Sequence, residues 1–205
     1  MKEILEYIKR IQSTAETGLH YSKNPFELNR NIEISNICIE LLERLTNIKT
    51  EEIKLHLEER NGYRTPKVDI RAVVFNEDGK LLFVKERIDG RWSLPGGWAD
   101  IGFSPSEMAV KETREEAGLI VEPKRLLAIM DKKCHPHPSD LYYIYKIFLE
   151  CELKGESEPD GMETTDTGFF DRNNIPELSG PRNTPDQIRM LFDFKEGVKT
   201  PPYFD

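Results

Sequence analysis

The amino-acid sequence predicts an α+β chain, a mixed sandwich of strands and helices preceded by a small helical domain. Three observations carry this. Apolar residues recur at spacings of three and four up to about Arg60, the period changes to that of strands after Pro66, and the strands surround isolated helices without regular βαβ alternation. At 205 residues the chain is long enough for one full domain and a smaller one.

In the first region Ile4, Leu5, Ile8, Ile11 and Ala15 mark one amphipathic helix. Leu28, Ile32, Ile37, Leu41, Leu42, Leu45 and Ile48 mark a second. The second has a clear start: Asn24 suits the N-cap, Pro25 the first helical position, and Glu27 can return a bond to the cap's N–H. A short third helix follows Thr50. Asn61-Gly62-Tyr63-Arg64-Thr65-Pro66 joins a turn dipeptide to a proline-restricted residue, so the domains are expected at 1–63 and 64–205.

Beyond it, Val68, Ile70 and Ala72 alternate with Asp69 and Arg71, Asn76-Glu77-Asp78-Gly79 reads as a turn, and Leu81 to Val84 as the returning strand of a hairpin. Further strands are expected at Leu126 to Met130, Leu141 to Leu153 and Thr167 to Phe170. One helix is expected between Ser104 and Gly118, and another after Thr184-Pro185-Asp186-Gln187, which repeats the arrangement of cap, proline and returning acceptor.

Charge narrows the partners. With 37 acids against 29 bases and a formal net charge of −8, duplex DNA binding by phosphate neutralisation is not expected. An anionic ligand would need a divalent cation clustered among carboxylates. No apolar run approaches the roughly 20 residues that cross a bilayer, and no secretory leader is visible. The expectation is a cytoplasmic protein without a membrane partner. Cys38, Cys134 and Cys151 have no metal-like spacing and suit reduced thiols.

The chemistry concentrates between Gly96 and Leu119, where a glycine loop feeds a helix. Ser104 can cap it, Pro105 opens it, Glu107 closes a capping box and Gly118 supplies a left-handed stop. At about 100° per residue, Glu112, Glu115 and Glu116 share one arc, while Ala109, Val110, Thr113 and Ala117 form the adjoining apolar arc. Three carboxylates so placed repel one another. Mg²⁺ or Mn²⁺ accepts such hard oxygen ligands together with waters and substrate phosphate, and a glycine carbonyl could add a ligand. A solvated acidic face flanked by Lys111 and Arg114 is the alternative.

This segment resembles the signature of the Nudix hydrolases, G-x5-E-x7-R-E-U-x-E-E-x-G-U with U a bulky aliphatic residue. Gly97 takes the first position, and Glu112, Glu115, Glu116, Gly118 and Leu119 match the second half. The similarity extends from Val68 to about Phe194 and includes Trp92-Ser93-Leu94-Pro95-Gly96-Gly97 and Gly168-Phe169-Phe170-Asp171. It departs in three places: Phe103 stands at the first Glu, Lys111 at the Arg, and Thr113 at an aliphatic position. Lysine brings a point charge without the planar fork of arginine.

The resemblance implies an α/β/α sandwich around a mixed sheet and metal-dependent hydrolysis of a nucleoside diphosphate linked to a group X. Glu112 and Glu116 would be the principal metal ligands, Glu115 a third ligand or near-metal acid, and Gly96 a carbonyl donor. Glu163 or Asp166 could be the general base, and His135 or His137 could move a proton or bind phosphate. Arg71, Lys85 and Arg87 could reach the phosphates. Trp98, Tyr142, Tyr143 and Tyr145 could stack on a base or a choline-like cation. The helical domain ahead of the signature resembles a bacterial branch of ADP-ribose and CDP-choline pyrophosphatases. It implies CDP-choline hydrolysis to CMP and phosphocholine, with ADP-ribose, giving AMP and ribose 5-phosphate, as the alternative. Trimming of RNA 3′ ends and a non-catalytic nucleotide sensor also stay open. The amphipathic helices are expected to pair in a homodimer, capping substrate or holding subunits together.

Overall fold

The computed structural model describes residues 2–46, 48–58, 65–160, 162–199 and 201–205. They form two compact units, Met1–Thr65 and Pro66–Asp205. The turn expected at Asn61 to Arg64 lies outside the described residues.

The first unit holds α1 (Lys2–Tyr21), α2 (Pro25–Thr46) and α3 (Thr50–Glu58). Asn24 caps α2 as expected, its Oδ1 accepting from Phe26 N–H at 2.9 Å. Glu27 does not return to the cap: it accepts from the Ser22 hydroxyl at 2.6 Å, and Ser22 Oγ takes the Asn24 N–H at 3.2 Å. The core is Leu5, Ile8, Ala15, Cys38, Ile39, Leu42 and Ile53. Most of the expected apolar stripe is outside it. Ile4 and Ile11 on α1, and Ile32, Ile37 and Leu41 on α2, are exposed.

The second unit runs β1 (Lys67–Phe75), β2 (Leu81–Glu86), β3 (Trp92–Ser93), α4 (Pro105–Ala117), β4 (Leu119–Asp131), a 3-10 turn (Lys132–Cys134), β5 (Ile144–Glu156), β6 (Thr164–Phe170), α5 (Pro185–Lys195) and β7 (Tyr203–Phe204). The seven strands form one mixed sheet in the order β3-β2-β1-β5-β4-β7, with β6 also paired to β2. The β1–β5 pair is parallel and β4–β5 antiparallel. The strand expected from Leu141 begins at Ile144, so Tyr145 lies in it, and Tyr142 and Tyr143 precede it. The β7 strand has no counterpart in the sequence reading.

Alternation along the central strands separates two cores. Ile70, Ala72, Val74, Leu82 and Val84 face α4 through Met108, Ala109 and Ala117. Val73, Leu81, Phe83 and Phe148 face α5 through Ile188, Leu191 and Phe192. The result is the expected α/β/α sandwich. Burying a large apolar side chain contributes about 1.5–3 kcal/mol, so these two layers hold the sheet and therefore everything mounted on it.

Candidate active site

The helix that carries the acids is fixed at both ends. Ser104 and Glu107 form the reciprocal cap, with Ser104 N–H donating to Glu107 Oε2 at 2.8 Å and Glu107 N–H to Ser104 Oγ at 3.3 Å. Gly118, at φ 66°, ends the helix in the left-handed conformation. Glu107 is therefore a cap and does not stand in for the acid missing at Phe103.

Before α4, the loop Leu94–Gly97 runs against β1. Ala72 N–H donates to the Pro95 carbonyl and Ile70 N–H to the Gly97 carbonyl, each at 2.9 Å. Gly96 has φ 141°, and a Cβ there would stand 2.0 Å from the Ile70 carbonyl oxygen, so only glycine fits. This places Gly96 N–H 2.8 Å from Glu116 Oε2, across 20 residues of chain.

Loop, helix and sheet enclose a cavity of about 390 Å³ that seven carboxylates and four cationic side chains face. Gly96, Gly97, Trp98, Glu112, Glu116, Glu163 and Arg71 are on its wall. Glu115 is not. It pairs with Lys111, whose Nζ lies 3.1 Å from Glu115, 3.2 Å from Glu112 and 3.5 Å from Asp100. The lysine's own pKa is driven upward, first by its bond to Glu115.

Burial dominates the protonation of the acids. It pushes the Glu116 carboxyl up to about 8, against the pull of Arg71 and the Gly96 N–H and with the help of Glu112 and Glu86. Glu112 is also raised, by burial first, with Lys111 opposing and Glu115 and Glu163 adding to the rise. Among the described residues no three His, Cys, Asp or Glu side chains already form a cation cage. The donor set nevertheless suits a hard divalent ion: carboxylates from one helix turn crowd a cavity with an acid surplus, where an added positive charge relieves repulsion that a diphosphate would increase.

On the sheet side, Arg71 is buried. Its Nε donates to Asp69 at 2.8 Å and its Nη1 to the Leu94 carbonyl at 2.9 Å. Asp69 also takes Lys146, a fully buried lysine whose pKa burial lowers to about 8. Burial alone would raise the Asp69 carboxyl, but Arg71 and Lys146 hold it below the ordinary range.

Several expected residues are elsewhere. Arg87 does not line the cavity: its guanidinium donates to the Met162 and Thr164 carbonyls at 3.0 and 3.3 Å, tying the end of β2 to the start of β6. Lys85 and Asp166 pair across β2 and β6, away from the wall. His137 is a packing residue, with Nδ1 2.8 Å from the Gly180 carbonyl and Nε2 3.1 Å from Gln187 Nε2. His135 pairs with Asp205 at 3.1 Å.

Other wall residues were not singled out from the sequence. Arg182 donates through Nε to Glu86 at 2.6 Å, and Lys132 pairs with Asp140 at 2.7 Å. Asp69 had a usable signal, a charge inside an apolar strand. Arg182 had none, because its place beside β2 is set by folding alone.

Two family models match the chain: the UDP-X-like, N-terminal oligomerisation domain over residues 2–57, and the NUDIX domain over residues 65–193. The chain is 40% identical over 201 residues to the Bacillus subtilis protein named "Putative ADP-ribose pyrophosphatase YjhB", covering 98% of this chain and 96% of that one. Among solved structures, an ADP-ribose pyrophosphatase from Streptococcus suis is 42% identical with TM-score 0.61, covering 69% of this chain and all of that one. A UDP-X diphosphatase is 30% identical with TM-score 0.63, covering 99% of this chain and 98% of that one.

Proposed function

This chain belongs to the Nudix family and is a Nudix pyrophosphohydrolase, and on that premise we propose that it hydrolyses the diphosphate of a nucleoside diphosphate sugar, ADP-ribose first, to AMP and ribose 5-phosphate. The relatives described above carry ADP-ribose or UDP-X in their names, so the CDP-choline reading gives way to its alternative. The observation that carries the proposal is the cavity in which Glu112 and Glu116 face the Gly96–Gly97 loop, pinned by the Gly96–Glu116 hydrogen bond.

Glu112, Glu116 and the Gly96 carbonyl would hold the divalent cation, Mg²⁺ or Mn²⁺, while Glu115 stays paired with Lys111, off the cavity wall. When bound, the ion supplies charge neutralisation to the diphosphate oxygens. Glu163, on the cavity wall, would take the proton of the attacking water. Arg182, 27% exposed and aligned by Glu86, would meet a phosphate. The helical unit would pair with the same unit of a second copy, which its match to an oligomerisation domain and its exposed apolar stripes support.

The test is a panel of ADP-ribose, UDP-sugars, CDP-choline and dNTPs with each metal, identifying products. AMP with ribose 5-phosphate as the fastest reaction supports the reading; turnover confined to CDP-choline or dNTPs refutes it.

A further inference from the structure

Lys67, Asp69 and Arg71 alternate along β1 and so share one face of the strand. Asp69 and Arg71 line the cavity, which makes Lys67 the outer member of a charged row that begins beside Glu116. From Arg71 to Lys67 the row runs about 13 Å along the strand, within reach of a group attached to a diphosphate. Trp98 stands across from Asp69 in a backbone bridge, with Ala99 N–H donating to the Val68 carbonyl at 2.9 Å. It lines the cavity and is 46% exposed.

The Lys67 ammonium lies over two aromatic rings at this rim, 3.7 Å from the Tyr142 centroid and 5.1 Å from the Trp98 centroid. The rings meet edge to face with centroids 6.3 Å apart. Such a pair of faces is what a quaternary ammonium group seeks. Here the protein's own cation already covers both, and a second cation would lose that attraction and meet a like charge.

We propose that Lys67 is a specificity residue that excludes substrates whose X group is a quaternary ammonium and favours an uncharged X group rich in hydroxyls, which can accept from the lysine. This rests on the nucleoside diphosphate reading of the same site, and it supplies a physical reason why a sugar is preferred to choline.

Two measurements on the full chain separate this inference from that reading. In the first, tetramethylammonium is titrated while tryptophan fluorescence is followed, with Trp98→Phe identifying the Trp98 signal. Lys67→Met should bind the probe at least fivefold more tightly than the wild type, and Lys67→Arg should not. In the second, kcat/KM is measured for CDP-glycerol and CDP-choline, which share a nucleoside and differ in the charge of X. The preference for CDP-glycerol should fall at least fivefold in Lys67→Met. Unchanged probe affinity, or equal losses on both substrates, overturns the proposal. If the wild type hydrolyses neither compound, the function reading is decided by the substrate panel and the probe titration alone decides the role of Lys67.

Discussion

The two units solve the problem of apolar surface differently. In Pro66–Asp205, α4 and α5 cover both faces of the sheet, and residues such as Val73, Phe83, Leu94 and Leu191 are fully buried. In Met1–Thr65, α1 buries Leu5, Ile8 and Ala15 but leaves Ile4, Tyr7 and Ile11 exposed, and α2 buries Cys38 and Leu42 but leaves Ile34, Ile37 and Leu41 exposed. Each long helix thus carries a second apolar row. A continuous exposed row of this kind marks an interaction surface more than a folding core. In the sandwich the exposed apolar side chains, such as Ile88, Ile101 and Phe204, lie off α4 and α5, whereas in the helical unit they line up along the two long helices.

The sharpest break should come in the cavity. Glu116→Gln keeps shape and can still accept the Gly96 N–H, but it removes a charge from the proposed metal site. We expect kcat to fall about 10²–10³-fold, with Mn²⁺ affinity by calorimetry reduced and the circular dichroism of the helical unit unchanged. Activity like the wild type would remove this helix turn from the reaction.

Backbone fit comes next. In Gly96→Ala the new Cβ would meet the Ile70 carbonyl at 2.0 Å, at a positive φ. A loss of roughly 3 kcal/mol in urea unfolding of the sandwich is expected. A loss below about 1 kcal/mol would show that the loop relaxes away from β1.

The third break acts through pH. Burial lowers the His137 pKa from 6.5 to about 4, so between these values the unfolded chain binds a proton that the folded one does not. The stability associated with neutral His137 is full above pH 6.5 and is lost as pH falls toward 4, by about 3 kcal/mol when complete. In urea titrations at pH 7.5 and 4.5, His137→Gln should show a smaller loss than the wild type. Equal losses would mean that the imidazole titrates normally.

The sequence showed most of the second unit because its cues are local. Caps at Ser104 and Thr184, glycines before and after α4, and alternation in β1 each act within a few residues. The carboxylates on α4 are visible for the same reason: helical spacing puts Glu112 and Glu116 on one side, though it cannot show that Glu115 pairs with Lys111 and stays off the cavity wall. Arg87 looked like a phosphate ligand because a cation on a hairpin near the glycines has the right chemistry. Its carbonyl partners near Met162 and Thr164 are long-range and leave no local trace. In the helical unit a spacing of three and four marks apolar positions, but it cannot say which of two neighbouring rows faces inward, and it carries α2 to Ile48, two residues past its end at Thr46.

That last ambiguity can be tested where the effect on folding is smallest. Ile37 is 50% exposed, whereas Leu42, one and a half turns on, is 2% exposed. Leu42→Ala should destabilise the fold by about 2–5 kcal/mol, but Ile37→Ser should change the stability of the isolated chain by less than about 0.5 kcal/mol. If the exposed rows join two copies, Ile37→Ser should instead weaken association, read as a concentration-dependent shift toward monomer in sedimentation, with helicity retained. A dimer constant equal to that of the wild type for both Ile37→Ser and Ile11→Ser would exclude these rows as the contact. The difference between the units would then concern surface composition alone, since neither substitution removes a group from the core.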